Sequence, residues 1–339
     1  MTRGQPFRDT HVSLAHGNGG RMMREMIEEL FAPALANPLL DTTADAVTLP
    51  IPVGEDLLVT TDGFTVKPLE FPGGNIGSLA VHGTVNDLAV SGAVPRYMTL
   101  SVFLEEGLEI ALLQRVMEAL GNAARACGVA VVAGDTKVVG RGDCDGIYLA
   151  ATGVGFRPRG VRLGQARAQA GDRILVSGPI GDHGAAVMLA RQEFGLRGEL
   201  ESDAASVLPQ AQALMTVAGL RFMRDPTRGG LATVAHELAR ATHLTVRLSE
   251  AHIPVNDSVQ SVCELLGFDP LFLACEGRLV AVVAPESAQE ALVALQAVAP
   301  RAALIGEIEH GSPQVILRTA FGGERSLDEL EDDPLPRIC

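Results

Sequence analysis

Tyr97-Met98-Thr99-Leu100-Ser101-Val102-Phe103-Leu104 alternates strictly: Met98, Leu100, Val102 and Leu104 fall on one side of an extended chain, and Tyr97, Thr99, Ser101 and Phe103 on the other. Helical patterns flank this strand, from Ile76 to about Ser91 and from Glu109 to Cys127. Strands alternating with helices in this way predict an α/β (α+β) fold class.

Working outward, further strands are expected at Leu57–Thr61, Val129–Val132, Thr136–Val139 and Ile147–Val154, and a helix from about Arg21 to Phe31 behind Gly19-Gly20. From Arg157-Pro158-Arg159-Gly160 the chain turns polar and glycine-rich up to Gly171-Asp172, which reads as a linker. The alternation then restarts, with strands at Arg173–Ser177, 244–249, 279–284, 303–308 and 314–318 and helices near 183–194, 206–217 and 229–242. With 339 residues the chain suits two domains of about 150 residues. The expected organisation is therefore 1–156, a linker over 157–171, 172–326, and a tail over 327–339.

Apolar residues make up 47% of the chain and aromatic residues 4%, so its core must be built from Ala, Val, Leu and Ile. A formal charge of −14 argues against a phosphate-tracking nucleic-acid surface, which needs a net basic face. No stretch approaches about 20 uninterrupted apolar residues, and Met1 to Thr10 carries no apolar segment. Neither a membrane span nor a signal peptide is expected, and a cytoplasmic location is.

Cysteines stand at 127, 144, 263, 275 and 339 without a C-x-x-C pair, which fits a reducing compartment. Cys127 and Cys263 lie in apolar helical patterns and read as small buried hydrophobes. Cys339 escapes that reading. It ends a run of acidic residues with two prolines, in a segment that offers little to bury and is expected to be mobile.

Several residues could carry chemistry. His16-Gly17-Asn18-Gly19-Gly20 precedes a helix, where glycines let a backbone approach an anion; a phosphate site and a plain turn both fit that pattern. No G-x-x-x-x-G-K-[ST] pattern exists, so a P-loop is not supported. Asp45, Asp62, Asp87 and Asp225 fall at ends or interruptions of elements, where each alone reads more readily as a cap or turn residue and together they would suit magnesium on nucleotide phosphates. Asn86-Asp87 stands out because it interrupts an otherwise apolar helix. Gly134-Asp135-Thr136-Lys137 follows an apolar run, so a carboxylate and an amine are expected at a strand end. Gly181-Asp182-His183-Gly184 repeats a strand, glycine, acid and helix arrangement, with His183 either catalytic or a helix-start residue. Glu276 sets a charge between two apolar stretches and reads as a base or a surface turn.

Taken together, Phe71-Pro72-Gly73-Gly74-Asn75-Ile76-Gly77, His82-Gly83-Thr84-Val85-Asn86-Asp87-Leu88-Ala89-Val90-Ser91-Gly92, Gly134–Val139, Gly181–Gly184, Asp225–Gly230 and the terminal Pro336-Arg337-Ile338-Cys339 resemble the HypE family of hydrogenase maturation factors over almost the whole chain. That family sits with aminoimidazole ribonucleotide synthetase, selenophosphate synthetase and thiamine-monophosphate kinase. The resemblance implies a two-domain PurM-like fold that dimerises through its N-terminal half, with ATP and Mg2+ between the two protomers. It implies Asp45, Asp62, Asp87 and Asp225 as metal ligands, and Gly19, Gly20, Asp62, Asn86, Asp87, Asp135 and Thr136 on the nucleotide. Lys137 and Glu276 would form a proton relay. Thr43-Ala44-Asp45-Ala46 departs from the pattern in lacking the acidic pair often found there.

The implied activity is an ATP-dependent carbamoyl dehydratase. A HypF-like carbamoyltransferase would load Cys339, the thiocarbamate would become a thiocyanate, and a HypC–HypD-like iron scaffold would receive the cyanide group for a [NiFe]-hydrogenase centre. A selenophosphate synthetase would place its reactive residue near the N-terminus, whereas no cysteine precedes Cys127. A small-molecule kinase, or a scaffold that uses the tail only for docking, leaves the carbamoyl chemistry out.

Overall fold

The computed structural model describes residues 7–18, 20–42, 46–191, 200–330 and 337–339. Two short helical segments, α1 (Arg21–Met26) and α2 (Ala32–Ala34), are joined by a π turn over Ile27–Phe31. Then come β1 (Glu55–Phe64), the two-strand hairpin β2 (Glu70–Phe71) and β3 (Gly74–Asn75), α3 (Ile76–Val90), β4 (Val94–Glu105), α4 (Ile110–Ala126), β5 (Ala130–Val139) and β6 (Ile147–Pro158). The second half contains β7 (Arg173–Val176), α5 (Asp182–Ala190), α6 (Leu208–Met215), β8 (Leu220–Arg224), α7 (Gly230–Thr242), β9 (Thr245–Ser249), α8 (Asp257–Leu266), β10 (Val280–Val283), α9 (Ala288–Gln296), β11 (Ala303–Glu309), β12 (Gln314–Arg318) and β13 (Glu324–Ser326).

The first sheet has the order β1-β6-β4-β5 and is antiparallel except where β4 meets β5. The second has seven strands in the order β13-β12-β9-β11-β7-β10-β8, with β12 on β9 the parallel pair. Helices and strands thus alternate in sequence while most of the pairing is antiparallel, which is the α+β side of the expected class.

The stretch that decides the fold behaves as its alternation requires. Met98, Leu100, Val102 and Leu104 face the core, and Tyr97, Thr99, Ser101 and Phe103 lie on the more open face. On the core side lies α3, whose start is fixed by Asn75: its side chain accepts from the amides of Gly77 and Ser78, and Ser78 Oγ receives the Asn75 amide in return. A Cβ at Gly77 would come within 2.2 Å of the Val116 carbonyl, so glycine there sets how closely α3 and α4 pack. Helix α3 is buried on nearly every side, as its apolar sequence demands. Asn86 and Asp87, like Ser78, His82 and Thr84 on the same helix, are therefore polar exceptions that must be compensated.

Two expected elements are corrected. The two strands proposed at 129–132 and 136–139 are one, β5, so Asp135, Thr136 and Lys137 sit within a strand and not at its end. Gly134 lets the ladder continue beside the Leu100 carbonyl, which a Cβ would approach to 2.6 Å. The helix expected over 21–31 changes to π geometry after Met26. The stretch 157–171 is packed: β6 runs to Pro158, the Gly164 amide donates to the Arg221 carbonyl, and Ala168 is buried. Side chains of the second half also cross that boundary: Ala185–Met188 of α5 and Val259, Val262 and Cys263 of α8 join the cluster built on the first sheet.

The tail is also not without apolar burial. Leu327 is buried, and its amide bonds to the Val315 carbonyl. At the other end Ile338 is buried in the first core cluster, with Cys339 packed against it.

Candidate active site

The site forms where the two halves meet. Strand β1 brings Thr60 and Asp62, α3 brings Asn86 and Asp87, the residue after β8 is Asp225, and the turn after Cys275 carries Glu276. Thr60 Oγ1 donates to Asp87 Oδ2 at 2.7 Å, and Arg228 lies 4.0 Å from Asp62. Asp87, Asp225, Leu88, Arg157 and Arg224 line a 520 Å³ cavity beside this cluster.

Burial and mutual repulsion dominate its electrostatics. Burial pushes Asp87 up, with the charge of Asp62 adding to it against the Thr60 hydrogen bond and Arg224. Asp225 is pushed up to about 7 by burial first and by the charge of Asp87 second. Glu276 is raised furthest above the ordinary carboxylate range, chiefly by burial and then by Asp225, Asp203, Asp62 and Asp87. Its Oε1 is buried without a hydrogen-bond partner. The surface-turn reading of Glu276 is therefore overturned.

What holds Glu276 was not legible as a site. Asp203 accepts from the Glu276 amide at 3.1 Å and the Gly277 amide at 3.3 Å, and a Cβ at Gly277 would lie 1.8 Å from the Asp203 carbonyl. Arg278 braces Asp203 and Asp182 from behind. Asn86 is spent on the same structure. Its Nδ2 donates to the carbonyls of Ala205 and Glu276 at 3.0 and 3.1 Å, and its Oδ1 accepts from the Val207 amide at 2.8 Å. A buried amide must satisfy its polar atoms, and this one does so by tying α3 to the turn that carries Glu276, a structural use of the residue expected at the nucleotide.

Asp135 and Thr136 lie elsewhere, lining a 420 Å³ cavity with Met23, Ile27, Phe31 and Val47. Lys137 reaches Asp135 at 2.9 Å and is exposed, so a single chain does not bring Lys137 to Glu276. Gly20 caps α1 with open space where a Cβ would be, whereas a Cβ at Gly17 would strike the Val138 backbone at 2.6 Å. Gly19 and Asp45 lie outside the described residues.

The terminal residues dock beside this cluster. The amide and hydroxyl of Thr65, just beyond β1, donate to a carboxylate oxygen of Cys339 at 3.1 and 3.3 Å, and the Lys67 amide donates to the Arg337 carbonyl. Cys339 thus sits three residues along from Asp62, with its main chain anchored.

Both halves of the chain that build this site have known relatives. Residues 43–156 match the AIR synthase related protein N-terminal domain, and 169–318 match the corresponding C-terminal domain. The carbamoyl dehydratase HypE of Bradyrhizobium diazoefficiens is 46% identical over 98% of this chain and 97% of that protein. This chain belongs to the HypE family. A HypE crystal structure in complex with ATP superimposes with a TM-score of 0.92 at 42% identity, covering 96% of this chain and 99% of that one. A HypE–HypF complex structure matches with a TM-score of 0.79 at 40% identity, covering 90% and 99%. The HypE resemblance read from the motifs is thereby established, as is the PurM-like fold. Among the described residues no helix is long and apolar enough to cross a membrane.

The carboxylates fit a divalent cation in a particular way. Among the described residues no three metal-ligating side chains already form a cage. Like charges that raise one another's pKa, however, are what a cation relieves, and magnesium commonly keeps waters and phosphate oxygens in its shell alongside one or two carboxylates. Asp62, Asp87 and Asp225 would hold it.

Proposed function

We propose that this chain is an ATP-dependent carbamoyl dehydratase that carries its own substrate on Cys339. It converts R–S–CO–NH2 and ATP into R–S–C≡N, ADP and phosphate, supplying cyanide for [NiFe]-hydrogenase iron. The observation that carries the reading is the terminal cysteine anchored on Thr65, between the strand bearing Asp62 and the half of the chain bearing a buried, unpartnered Glu276.

An amide oxygen is a poor leaving group, and ATP supplies the phosphoryl group that makes it a good one. Magnesium held by Asp62, Asp87 and Asp225 would offset phosphate charge. The chain's own part is proton handling and position. Dehydration removes two N–H protons, and a carboxylate whose pKa is raised by burial is a stronger base than one in water. Glu276 Oε1 has no competing donor, so it is available for such a proton. Asn86 and Asp203 fix the main chain that presents it.

Lys137 joins this chemistry through a second protomer. The outer face of the first sheet exposes Leu57, Val59 and Phe103, an apolar surface suited to a homodimer through the N-terminal half. Nucleotide between the two protomers would then touch the Asp135 and Thr136 cavity as well as the carboxylates. A HypF-like carbamoyltransferase is the partner that loads Cys339, a HypC–HypD-like complex the one that unloads it, and the cytoplasm the compartment.

Intact-mass measurement tests the reading: the chain should gain a carbamoyl group from its loading partner, then lose one water when ATP is added. The Cys339→Ala chain should gain nothing while keeping its fold and ATP binding. Carbamoyl mass mapping to another cysteine, or no loss of water with ATP, would refute it.

A further inference from the structure

His183 is a buried titratable group that the chemistry above does not use. It lies at the start of α5, fully buried, with the edge of Phe71 packed against it at 5.4 Å between ring centroids. Both ring nitrogens are engaged. Nδ1 is 2.7 Å from Ser202 Oγ, and Nε2 is 2.7 Å from the carbonyl oxygen of Ile338.

These partners fix the tautomer. Ser202 Oγ accepts the Ala204 amide at 3.0 Å, which leaves its own proton to donate to Nδ1. The Ile338 carbonyl can only accept, so Nε2 carries the hydrogen and donates it. Burial lowers the His183 pKa to about 4, which keeps the ring neutral and this arrangement intact at physiological pH.

The rest of the receptor comes from both halves of the chain. Arg191 donates to the carbonyls of Lys67 and Arg337 at 2.9 and 2.8 Å. The Arg337 side chain donates to the Thr65 carbonyl, pairs with Asp145, and lies over the Tyr148 ring. Through the Thr65 and Lys67 amides on the carbonyls of Cys339 and Arg337, the last three residues are held along the chain just beyond β1. Thr65 fixes one end of Cys339. The peptide group that precedes it is fixed by His183.

We propose that His183 is the positioning residue for the reactive C-terminus, holding the Ile338 carbonyl so that the cysteine docks in one register at the junction of the two halves. The proposal rests on Cys339 as the carrier. It assigns to the histidine of Gly181-Asp182-His183-Gly184 a role that is neither helix capping nor proton transfer to the substrate.

Two variants separate this from a merely structural role. Glutamine can place an amide donor where Nε2 lies, and asparagine cannot reach. Alkylation of Cys339 by iodoacetamide, mapped by peptide mass spectrometry in the absence of ATP, reads how often the tail is undocked. In His183→Asn it should be about fourfold faster, as expected when the loss of one hydrogen bond takes a tail docked about ten to one down to about two to one. His183→Gln should restore the slow rate. Ser202→Ala, a smaller change, should also accelerate alkylation, because Nδ1 loses the donor that fixes the tautomer. In single turnover, the carbamoylated His183→Asn chain should dehydrate about tenfold more slowly with unchanged ATP affinity, a loss larger than undocking alone gives, because the docked cysteine no longer sits in one register.

Unchanged alkylation in both His183→Asn and Ser202→Ala would overturn the proposal. So would dehydration at the unsubstituted rate in a chain shown to be undocked. If the unsubstituted, carbamoylated chain failed to lose water, the dehydratase reading would fall, and the alkylation rates would still decide the role of His183.

Discussion

Replacing Asn86 by alanine should weaken the fold more than it weakens nucleotide binding. The side chain is buried to 1% exposure and makes three hydrogen bonds across the junction, to Ala205, Glu276 and Val207. Each is worth about 1 kcal/mol net, which sets the expected loss at about 3 kcal/mol. The Glu276 carbonyl keeps a longer bond from the Ala205 amide at 3.4 Å, so the larger share of the loss comes from the Val207 amide left without its acceptor. Asn86→Asp should be worse than alanine, because a carboxylate would then face two carbonyl oxygens where the amide had donated.

Urea unfolding at fixed protein concentration measures the loss, and nucleotide titration of the folded variant measures affinity. We expect a lower midpoint with an unchanged slope, near-normal nucleotide affinity, and slow dehydration because the main chain of Glu276 is no longer held. A stability change below about 1 kcal/mol accompanied by collapse of nucleotide affinity would refute the reasoning and return Asn86 to the nucleotide.

Asp62→Asn or Asp87→Asn should largely abolish ATP turnover without unfolding the chain, since each removes a charge from a self-repelling cluster; unchanged hydrolysis in both would remove the metal assignment. Glu276→Gln and Lys137→Ala should bind nucleotide but fail to remove water from the carbamoylated chain, and normal dehydration in either would end its relay role. For pH, the sign follows from His183 having a folded pKa of about 4 against an ordinary 6.5. The unfolded chain takes the proton first, so the stabilisation from keeping the ring neutral is complete above 6.5 and is lost as pH falls towards 4, about 3 kcal/mol in all. The raised carboxylates act in the opposite direction, so the measurable quantity is the stability difference between the unsubstituted chain and His183→Gln, which should shift against the unsubstituted chain through that window. Parallel stability curves would contradict it.

Elements were legible where periodicity alone settles them. Residues 97–104 and the helix from Ile76 are written in alternation and in a capping sequence, and β12 was expected at the residues it occupies. Helix α8 was sensed only through the helical pattern around Cys263, and β8 and α9 were missed, since a short apolar run such as Leu220–Arg224 fits strand and helix equally. At the site, sequence could single out Asp87 and Glu276 as charges in apolar surroundings, but not their partners. Asp203 and Arg278 read as ordinary loop residues, and Asn86 is indistinguishable from its functional neighbour until the facing carbonyls of Ala205 and Glu276 are in place. Long-range hydrogen bonding decides such cases, and one-dimensional spacing does not record it.

The docked tail must also come away. Burying Ile338 contributes about 2 kcal/mol, and six bonds, from His183, the Thr65 amide, the Thr65 hydroxyl, Lys67 and Arg191 and from Arg337 to the Thr65 carbonyl, add about 1 kcal/mol each. Ordering three backbone residues and the side chains of Ile338 and Arg337 costs about 6 to 7 kcal/mol. The difference, about 1 to 2 kcal/mol, corresponds to docking at roughly ten to one. A receptor of that strength holds the cysteine in register for most of the time, while about a tenth of the chains present it outward. Loading and unloading by separate partners needs that exposed fraction, and an intramolecular reaction needs the rest. A tail bound much more tightly would serve the second requirement at the expense of the first.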